Sequence, residues 1–253
     1  MSNKGKNSKH NLARCCVVLP TYNERENVKL LLPEIIKVSE KEKNHGWEIF
    51  TLVIDDNSPD GTAAVVKNLA EKYDGKIFLL ERDRKGGIGD ACKAGFKHAI
   101  VQLKADVLIE MDADLSHNPN DIPRLLAKLN DGYDLVIGSR YVKGGKIEGW
   151  PWRRKFMSWA GNFLGRFALS FKVRDCTNGL RAIKASFASR ILDRLDTRGN
   201  VFLLDMLYLA LMEGARIAEI PTIFKKRQTG VSKLSNNDLM EFIKVALKLI
   251  VEM

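Results

Sequence analysis

An α/β fold, with a mostly parallel sheet flanked by helices, is predicted for this 253-residue chain by three features. The composition, 45% hydrophobic and 28% charged, is that of an ordinary folded protein with a sizeable core. Short β-rich runs alternate with helical patterns, the rhythm of a sheet covered by helices on both faces. The runs end in residues that suit a phosphate, a sugar or a metal better than a core, and ligands of such sheets sit beyond the carboxyl ends of the strands.

The first strand is predicted over 15–20 and ends in Pro20-Thr-Tyr-Asn-Glu24, ahead of a helix over 24–43. The second, over 50–54, closes on Asp55-Asp56, followed by Asn57-Ser-Pro-Asp-Gly-Thr62 and a helix over 60–74. Adjacent carboxylates at a strand end suit ribose hydroxyls and the N–H donors of a base, while Asp60 suits a helix cap. The third strand, over 77–80, precedes Lys85-Gly-Gly-Ile-Gly89 and a helix over 88–103. That segment offers backbone N–H groups and a cation to a diphosphate, although it matches neither the Walker nor the dinucleotide fingerprint.

The fourth strand, over 106–111, runs directly into Asp112-Ala-Asp-Leu-Ser116 and a helix over 119–130. Two Asp separated by one residue after a strand can converge on one hard cation, with substrate phosphates filling the open positions. The same Asp114 or Ser116 suits a helix N-cap. A fifth strand over 134–138 ends in Ser139-Arg140. Beyond residue 142 the rhythm breaks into a Gly-rich loop, a helix and a late strand pattern over 215–224.

Cys15, Cys16, Cys92 and Cys176 have neither the density of a disulfide scaffold nor C-x-x-C spacing, and read as buried small hydrophobes. The four histidines lack the i,i+4 pairing of a zinc helix, so any metal is expected to be a hard cation on carboxylates. The net charge of +10 is concentrated. Residues 140–181 carry ten Lys or Arg against Glu148 and Asp175, and Lys4, Lys6, Lys9 and Arg14 form a second basic group in a tail over 1–14 expected to be disordered. Such bias suits an anionic partner, whether phosphorylated substrate, anionic lipid or nucleic acid, as well as a solvated face.

Six segments in order resemble glycosyltransferase family 2 and, within it, the dolichol-phosphate mannose synthases. They are Pro20-Thr-Tyr-Asn-Glu-Arg-Glu-Asn27, Asp55-Asp-Asn-Ser-Pro-Asp-Gly-Thr62, Met111-Asp-Ala-Asp-Leu-Ser-His-Asn-Pro119, Gly138-Ser-Arg-Tyr-Val-Lys-Gly-Gly145, Arg153-Arg154 with Ser158, and Arg227-Gln-Thr-Gly-Val-Ser-Lys233. The resemblance implies a GT-A-like nucleotide-sugar-binding fold, a GDP-mannose donor and a polyprenyl or dolichyl phosphate acceptor. It places Pro20, Tyr22, Glu24, Asp55 and Asp56 at the nucleoside, with Lys85 and Gly89 nearby. Asp112, Asp114 and the Ser116 position would manage Mg²⁺ or Mn²⁺ and the sugar diphosphate.

An acceptor phosphate is already anionic and needs no general base; it needs charge neutralisation and alignment, which arginine's bidentate fork supplies. Arg140, Arg154, Ser158, Arg227 and Lys233 are therefore assigned to it, and displacement opposite the leaving group predicts inversion. Two segments depart from the family pattern. Asn200-Val-Phe-Leu-Leu-Asp205 stands where Tyr-x-Phe-Gln-x-Glu is expected, so the Gln position is Leu203 and the Glu is Asp205. Thr177-Asn-Gly-Leu-Arg181 stands for Thr-Ser-Gly-Phe-Arg.

A catalytic domain is expected over 15–235, including an amphipathic helix near 153–171, with a second amphipathic helix over 236–253. In the first, Arg154, Ser158, Asn162, Arg166 and Ser170 form a polar stripe among Phe156, Met157, Trp159, Phe163, Leu164, Phe167 and Leu169. Neither helix reaches the roughly 18–20 apolar residues that span a bilayer, and both suit an interface. The expected location is peripheral, on the cytoplasmic face of the endoplasmic reticulum in a eukaryote or of the plasma membrane in a prokaryote, directly or through a small membrane-embedded anchor subunit. The rival readings are a polyprenyl-phosphate transferase using UDP-glucose and, from the charge alone, a nucleic-acid-binding protein, for which the chain carries no recognition signature.

Overall fold

The computed structural model describes residues 12–251 except 171, 198, 200 and 228–235, and leaves out the side chains of 236–239. The basic group at Lys4, Lys6 and Lys9 and the acceptor assignment of Lys233 lie outside the described residues. The first half follows the predicted rhythm: β1 (Ala13–Thr21), α1 (Arg25–Glu42), β2 (Trp47–Asp55), α2 (Thr62–Lys72), β3 (Ile77–Glu81), α3 (Ile88–Val101), β4 (Val107–Glu110), α4 (Ile122–Asn130) and β5 (Leu135–Ser139). After the short β6 (Lys146–Ile147) come α5 (Trp152–Ala168), β7 (Arg181–Lys184), α6 (Ala185–Ile191), α7 (Val201–Met212), β8 (Ile217–Pro221), β9 (Ile223–Phe224) and α8 (Asn236–Val251).

Seven strands form one sheet in the order β3-β2-β1-β4-β7-β5-β8, parallel throughout except for β7, which runs antiparallel to both β4 and β5. β6 and β9 pair separately. The central strands are buried on both faces, with Cys15–Leu19 wholly excluded from solvent, and so read as unbroken apolar runs. One face packs Val28, Leu31, Leu32 and Ile35 of α1 with Leu125, Leu126 and Leu129 of α4. The opposite face packs Ala91, Cys92 and Phe96 of α3 with Phe202 and Leu207 of α7 and Phe242 and Ala246 of α8. A Cβ on Gly95 would sit 2.7 Å from Ile54 and 2.8 Å from Val18, so glycine lets α3 lie close on the sheet just below the strand ends. All four cysteines are free and buried.

The late part of the chain differs from a simple continuation of the rhythm. β7 inserts between β4 and β5, which brings the segment leading into it, residues 175–180, to the carboxyl ends of the parallel strands. α5 is inside-out for a helix on a water-soluble surface. Its polar-stripe residue Asn162 is buried, accepting from Cys176 N–H at 2.7 Å and donating to Thr177 Oγ1 at 3.0 Å. Its aromatic residues Trp152 (73% exposed), Phe156, Trp159 and Phe163 face outward, the last three stacked in succession at 6.0 and 5.8 Å. α8 packs against α5 and α7 and buries Phe242, Val245, Ala246 and Leu249.

Candidate active site

A cleft of about 390 Å³ opens at the carboxyl ends of β1, β2 and β4 and is closed on its far side by the segments around Trp150, Thr177 and Arg227. Pro20, Tyr22, Glu24, Asp56 and Lys85 line one end. The Lys85 ammonium lies 4.2 Å from the centre of the Tyr22 ring, a cation held over an aromatic face. Asp56 accepts from Gly86 N–H at 2.9 Å and faces Arg82 Nε at 3.3 Å, which ties the glycine-rich loop to the end of β2.

Two residues assigned to the donor side stand behind the cleft wall. Asp55 is buried and does not line the cleft; its oxygens accept from Thr21 Oγ1 (3.1 Å), Ser58 Oγ (2.7 Å) and Ser58 N–H (2.9 Å), so it braces the loop that carries Asp56. Gly89 lies below the cleft, where an added Cβ would come within 2.3 Å of the Thr197 carbonyl oxygen. Its lack of a side chain serves packing. Gly87 and Ile88 line the cleft instead.

Asp112 and Asp114 both line the centre. Asp112 accepts from the buried His117, whose Nε2 lies 3.0 Å from Oδ2. Burial would raise the Asp112 carboxyl, but the His117 hydrogen bond and the charges of His117, Arg227 and Arg140 outweigh it and hold the group below the usual carboxylate range. Asp114 Oδ1 accepts from the Ser116 hydroxyl and, at 3.0 Å, from Ser116 N–H. Ser116 thus orients Asp114 in the manner of a short Asx turn, as its capping chemistry allows. Asp114 Oδ2 is paired with Arg227 Nη2 at 2.7 Å, so this carboxylate already attracts a cation. Two oxygen-rich groups converging here fit a hard divalent ion whose remaining positions are filled by substrate oxygens. Among the described residues no cluster of three His, Cys, Asp or Glu side chains forms a complete protein cage.

The basic rim has two kinds of arginine. Arg140 is buried and locked to Asp175 by Nε (2.8 Å) and Nη2 (2.7 Å), with a further bond from Nη2 to Thr177 Oγ1 at 2.7 Å. Arg140 lines the cleft with its guanidinium paired to Asp175, and the pair holds the 175–179 segment against the end of β5. Removing one partner of a buried pair typically costs about 3–5 kcal/mol. Asp175→Ala is therefore expected to lower Tm by on the order of 10 °C, measurable by differential scanning fluorimetry; a Tm within about 2 °C of the parent would show that the pair is not structural.

Arg154 is of the second kind. Its guanidinium stacks 4.0 Å from the Trp150 ring and lines the cleft. Burial, then the charges of Arg227 and Arg140, lower its proton affinity against the pull of Asp114, yet a guanidinium stays charged. Positive charge is thus gathered beside the two aspartates. Ser158 does not line the cleft; it accepts from the Tyr141 hydroxyl at 2.9 Å and braces α5 beneath Arg154.

Several residues in or behind the cleft wall lay beyond the sequence reading. His117 stood inside a quoted motif, but only its burial against Phe224 (ring centres 5.2 Å apart) and its bond to Asp112 reveal its role. Trp150 and Phe224 supply aromatic faces near Arg140 at 5.9 and 5.4 Å. Glu110 is buried at the end of β4 and lines the cleft, and burial pushes its carboxyl up to about 8 against the attraction of Arg181. Leu203, at the departed Gln position, also lines the cleft, whereas Asp205 lies apart from the lining and accepts from Asp196 N–H at 2.8 Å.

A family model described as glycosyl transferase family 2 matches residues 16–192, from β1 to just past α6. The chain belongs to glycosyltransferase family 2. Among its relatives, the polyprenol monophosphomannose synthase of Mycolicibacterium smegmatis is 39% identical over 230 residues, covering 90% of this chain and 83% of that protein. The undecaprenyl-phosphate mannosyltransferase of Micrococcus luteus is 39% identical over 231 residues, covering 91% of each. Among solved structures, the mannosyltransferase PcManGT from Pyrobaculum calidifontis, in complex with GDP-Man and Mn²⁺, superposes with a TM-score of 0.62 at 18% identity over 94% of this chain and 65% of that one. At that identity the likeness is one of fold, and the fold is GT-A.

Proposed function

We propose that this family-2 chain transfers mannose from GDP-mannose to the phosphate of a polyprenyl carrier such as dolichyl phosphate, with inversion. The observation that carries the reading is the meeting of Asp112 and Asp114 with Arg154 and Arg227 in one cleft, an arrangement for two anionic reactants. The names of the relatives at 39% identity point to the same reaction class.

In this reading Tyr22, Glu24, Asp56 and Lys85 hold the nucleoside end, braced by Asp55. Asp112, oriented by His117, and Asp114, oriented by Ser116, would hold Mg²⁺ or Mn²⁺. When bound, the ion would offset charge on the departing diphosphate. Arg154 and Arg227 receive the acceptor phosphate, with Lys233 assigned there as well. An acceptor oxygen attacks the anomeric carbon from the face opposite the diphosphate; the carbon–oxygen bond to the diphosphate breaks, and an α-linked donor becomes a β-linked phosphosugar and GDP. No general base is required, so the arginines act by lowering the repulsion between the anions and by alignment.

The lipid acceptor accounts for α5. With its polar stripe turned inward and Trp152, Phe156 and Trp159 turned outward beside Arg153 and Lys155, the helix suits the cytoplasmic interface of an anionic membrane, reached directly or beside a small membrane-embedded partner. No helix among the described residues is long and apolar enough to cross a membrane.

Leu203 on the cleft wall, where the family pattern has Gln, favours testing one second reading, a transferase using UDP-glucose. The purified protein, given polyprenyl phosphate in detergent with Mn²⁺ or Mg²⁺, is expected to form labelled lipid from GDP-[¹⁴C]mannose and not from UDP-[¹⁴C]glucose. The reverse result would replace the mannose assignment.

A further inference from the structure

We infer that Glu110 reads a hydroxyl of the donor's hexose through Oε2 and so helps to set which sugar is transferred. This rests on the nucleotide-sugar reading of the cleft and adds a residue outside the family motifs quoted for it. Glu110 is 1% exposed, ends β4 two residues before Asp112, and lines the same cleft. Its Oε1 lies 3.8 Å from Cys92 Sγ, but Oε2 is buried with no hydrogen-bond partner among the described residues. A buried polar atom left unpaired is costly, and where a protein retains one at a ligand cleft, a ligand group is the natural partner.

The neighbouring cation does not fill this role. Arg181 faces Glu110 across the β4–β7 ladder and attracts it. However, its guanidinium donates to the carbonyls of Asn178 (2.8 Å), Cys176 (2.7 Å) and Leu203. The charge of Arg181 makes the buried carboxyl tolerable while its guanidinium hydrogen bonds go to these carbonyls. Ala91 and Leu203, also on the cleft wall, come from α3 and α7, the helices that carry Cys92 and the carbonyl bonded to Arg181. Oε2 is thus an unpartnered polar atom on a cleft-lining residue, set beside apolar groups of the same wall.

The strand order says which part of the donor meets it. The residues at the nucleoside end come from β1, β2 and the loop after β3, and Asp112 and Asp114 follow β4. The diphosphate belongs with those aspartates and the basic rim. Glu110 lies on β4, next to β7 and away from the β2 end. A hydroxyl, which both donates and accepts, matches a carboxyl in either protonation state, and the hexose supplies one there. Hexoses differ in hydroxyl stereochemistry, so a buried group that pairs with one hydroxyl discriminates among them.

The test compares binding of GDP-mannose and of GDP, with Mn²⁺, to the full chain by isothermal titration calorimetry. Glu110→Asp keeps a carboxyl opposite Arg181 but withdraws it by one methylene; Glu110→Gln keeps the reach. For Glu110→Asp, GDP-mannose affinity is expected to fall by about 10- to 100-fold, the scale of one hydrogen bond to a charged or buried group, with GDP affinity changed by less than about threefold. Glu110→Gln is expected to lose less. Retained GDP affinity shows that the variants are folded. Equal losses for both ligands, or no loss for either, would overturn the assignment. Should the parent chain bind UDP-glucose in place of GDP-mannose, the donor reading fails separately, and the UDP-glucose to UDP ratio then decides the role of Glu110.

Discussion

Transfer by the Asp114→Asn variant is expected to fall by about 10³-fold at saturating Mn²⁺, on the order of several kcal/mol of lost charge stabilisation. Asn has the shape of Asp and keeps an acceptor for Ser116, whose N–H and hydroxyl both bond Oδ1, so the local turn should survive. It loses the negative charge that pairs with Arg227 at 2.7 Å and that would hold the divalent ion. Product formation on polyprenyl phosphate, with Tm as the control for folding, makes the measurement. Full transfer by Asp114→Asn in excess chelator would remove both the metal and this aspartate from the reaction.

The Arg154→Ala variant is expected to lose about 100-fold in transfer while its affinity for GDP stays within about threefold of the parent. Arg154 stands across the cleft from the nucleoside end, braced on Trp150 and near Arg227. Its removal should weaken alignment and neutralisation of the acceptor phosphate and leave the nucleoside end intact. Arg154→Lys should recover only part of the loss, because an ammonium cannot present the planar fork. A collapse of GDP affinity in Arg154→Ala would instead place this arginine on the donor.

The first half of the fold was legible because each strand is an apolar run closed by turn chemistry and each helix has a clear period: the five strands predicted up to Gly138 and the helices between them reappear within a few residues. β7 was not, since Arg181-Ala-Ile-Lys184 is four residues long with a charge at each end. Its Arg181 is nevertheless among the largest fully buried side chains, satisfied by the carbonyls of Cys176 and Asn178 just before it and of Leu203 on α7. α7 was missed for the opposite reason: Val201–Met212 is apolar on nearly all sides and buried on most of them, so no helical stripe marks it.

In the site, the motifs located Asp112, Asp114, Asp56, Tyr22 and Arg154 at the cleft. Motif membership could not separate Asp55 from Asp56, because adjacent residues at a strand end point in different directions and only one reaches the cleft. Nor could charge counting show that Arg140 is spent on Asp175, since 35 residues separate them. Glu110 and Leu203 looked like strand and helix interior.

The reversed strand β7 also imposes an order on synthesis. When β5 leaves the ribosome, both of its eventual neighbours, β7 and β8, are still to come, and β4 stands as an open edge beside β1. At about 5–20 residues per second, the stretch from Ser139 to Lys184 takes a few seconds to emerge. During that interval the apolar edge of β4 is a template for pairing with other nascent chains. One four-residue strand then closes two edges at once, so a fragment ending before β7 would be expected to aggregate rather than to fold as a free-standing nucleotide-binding half.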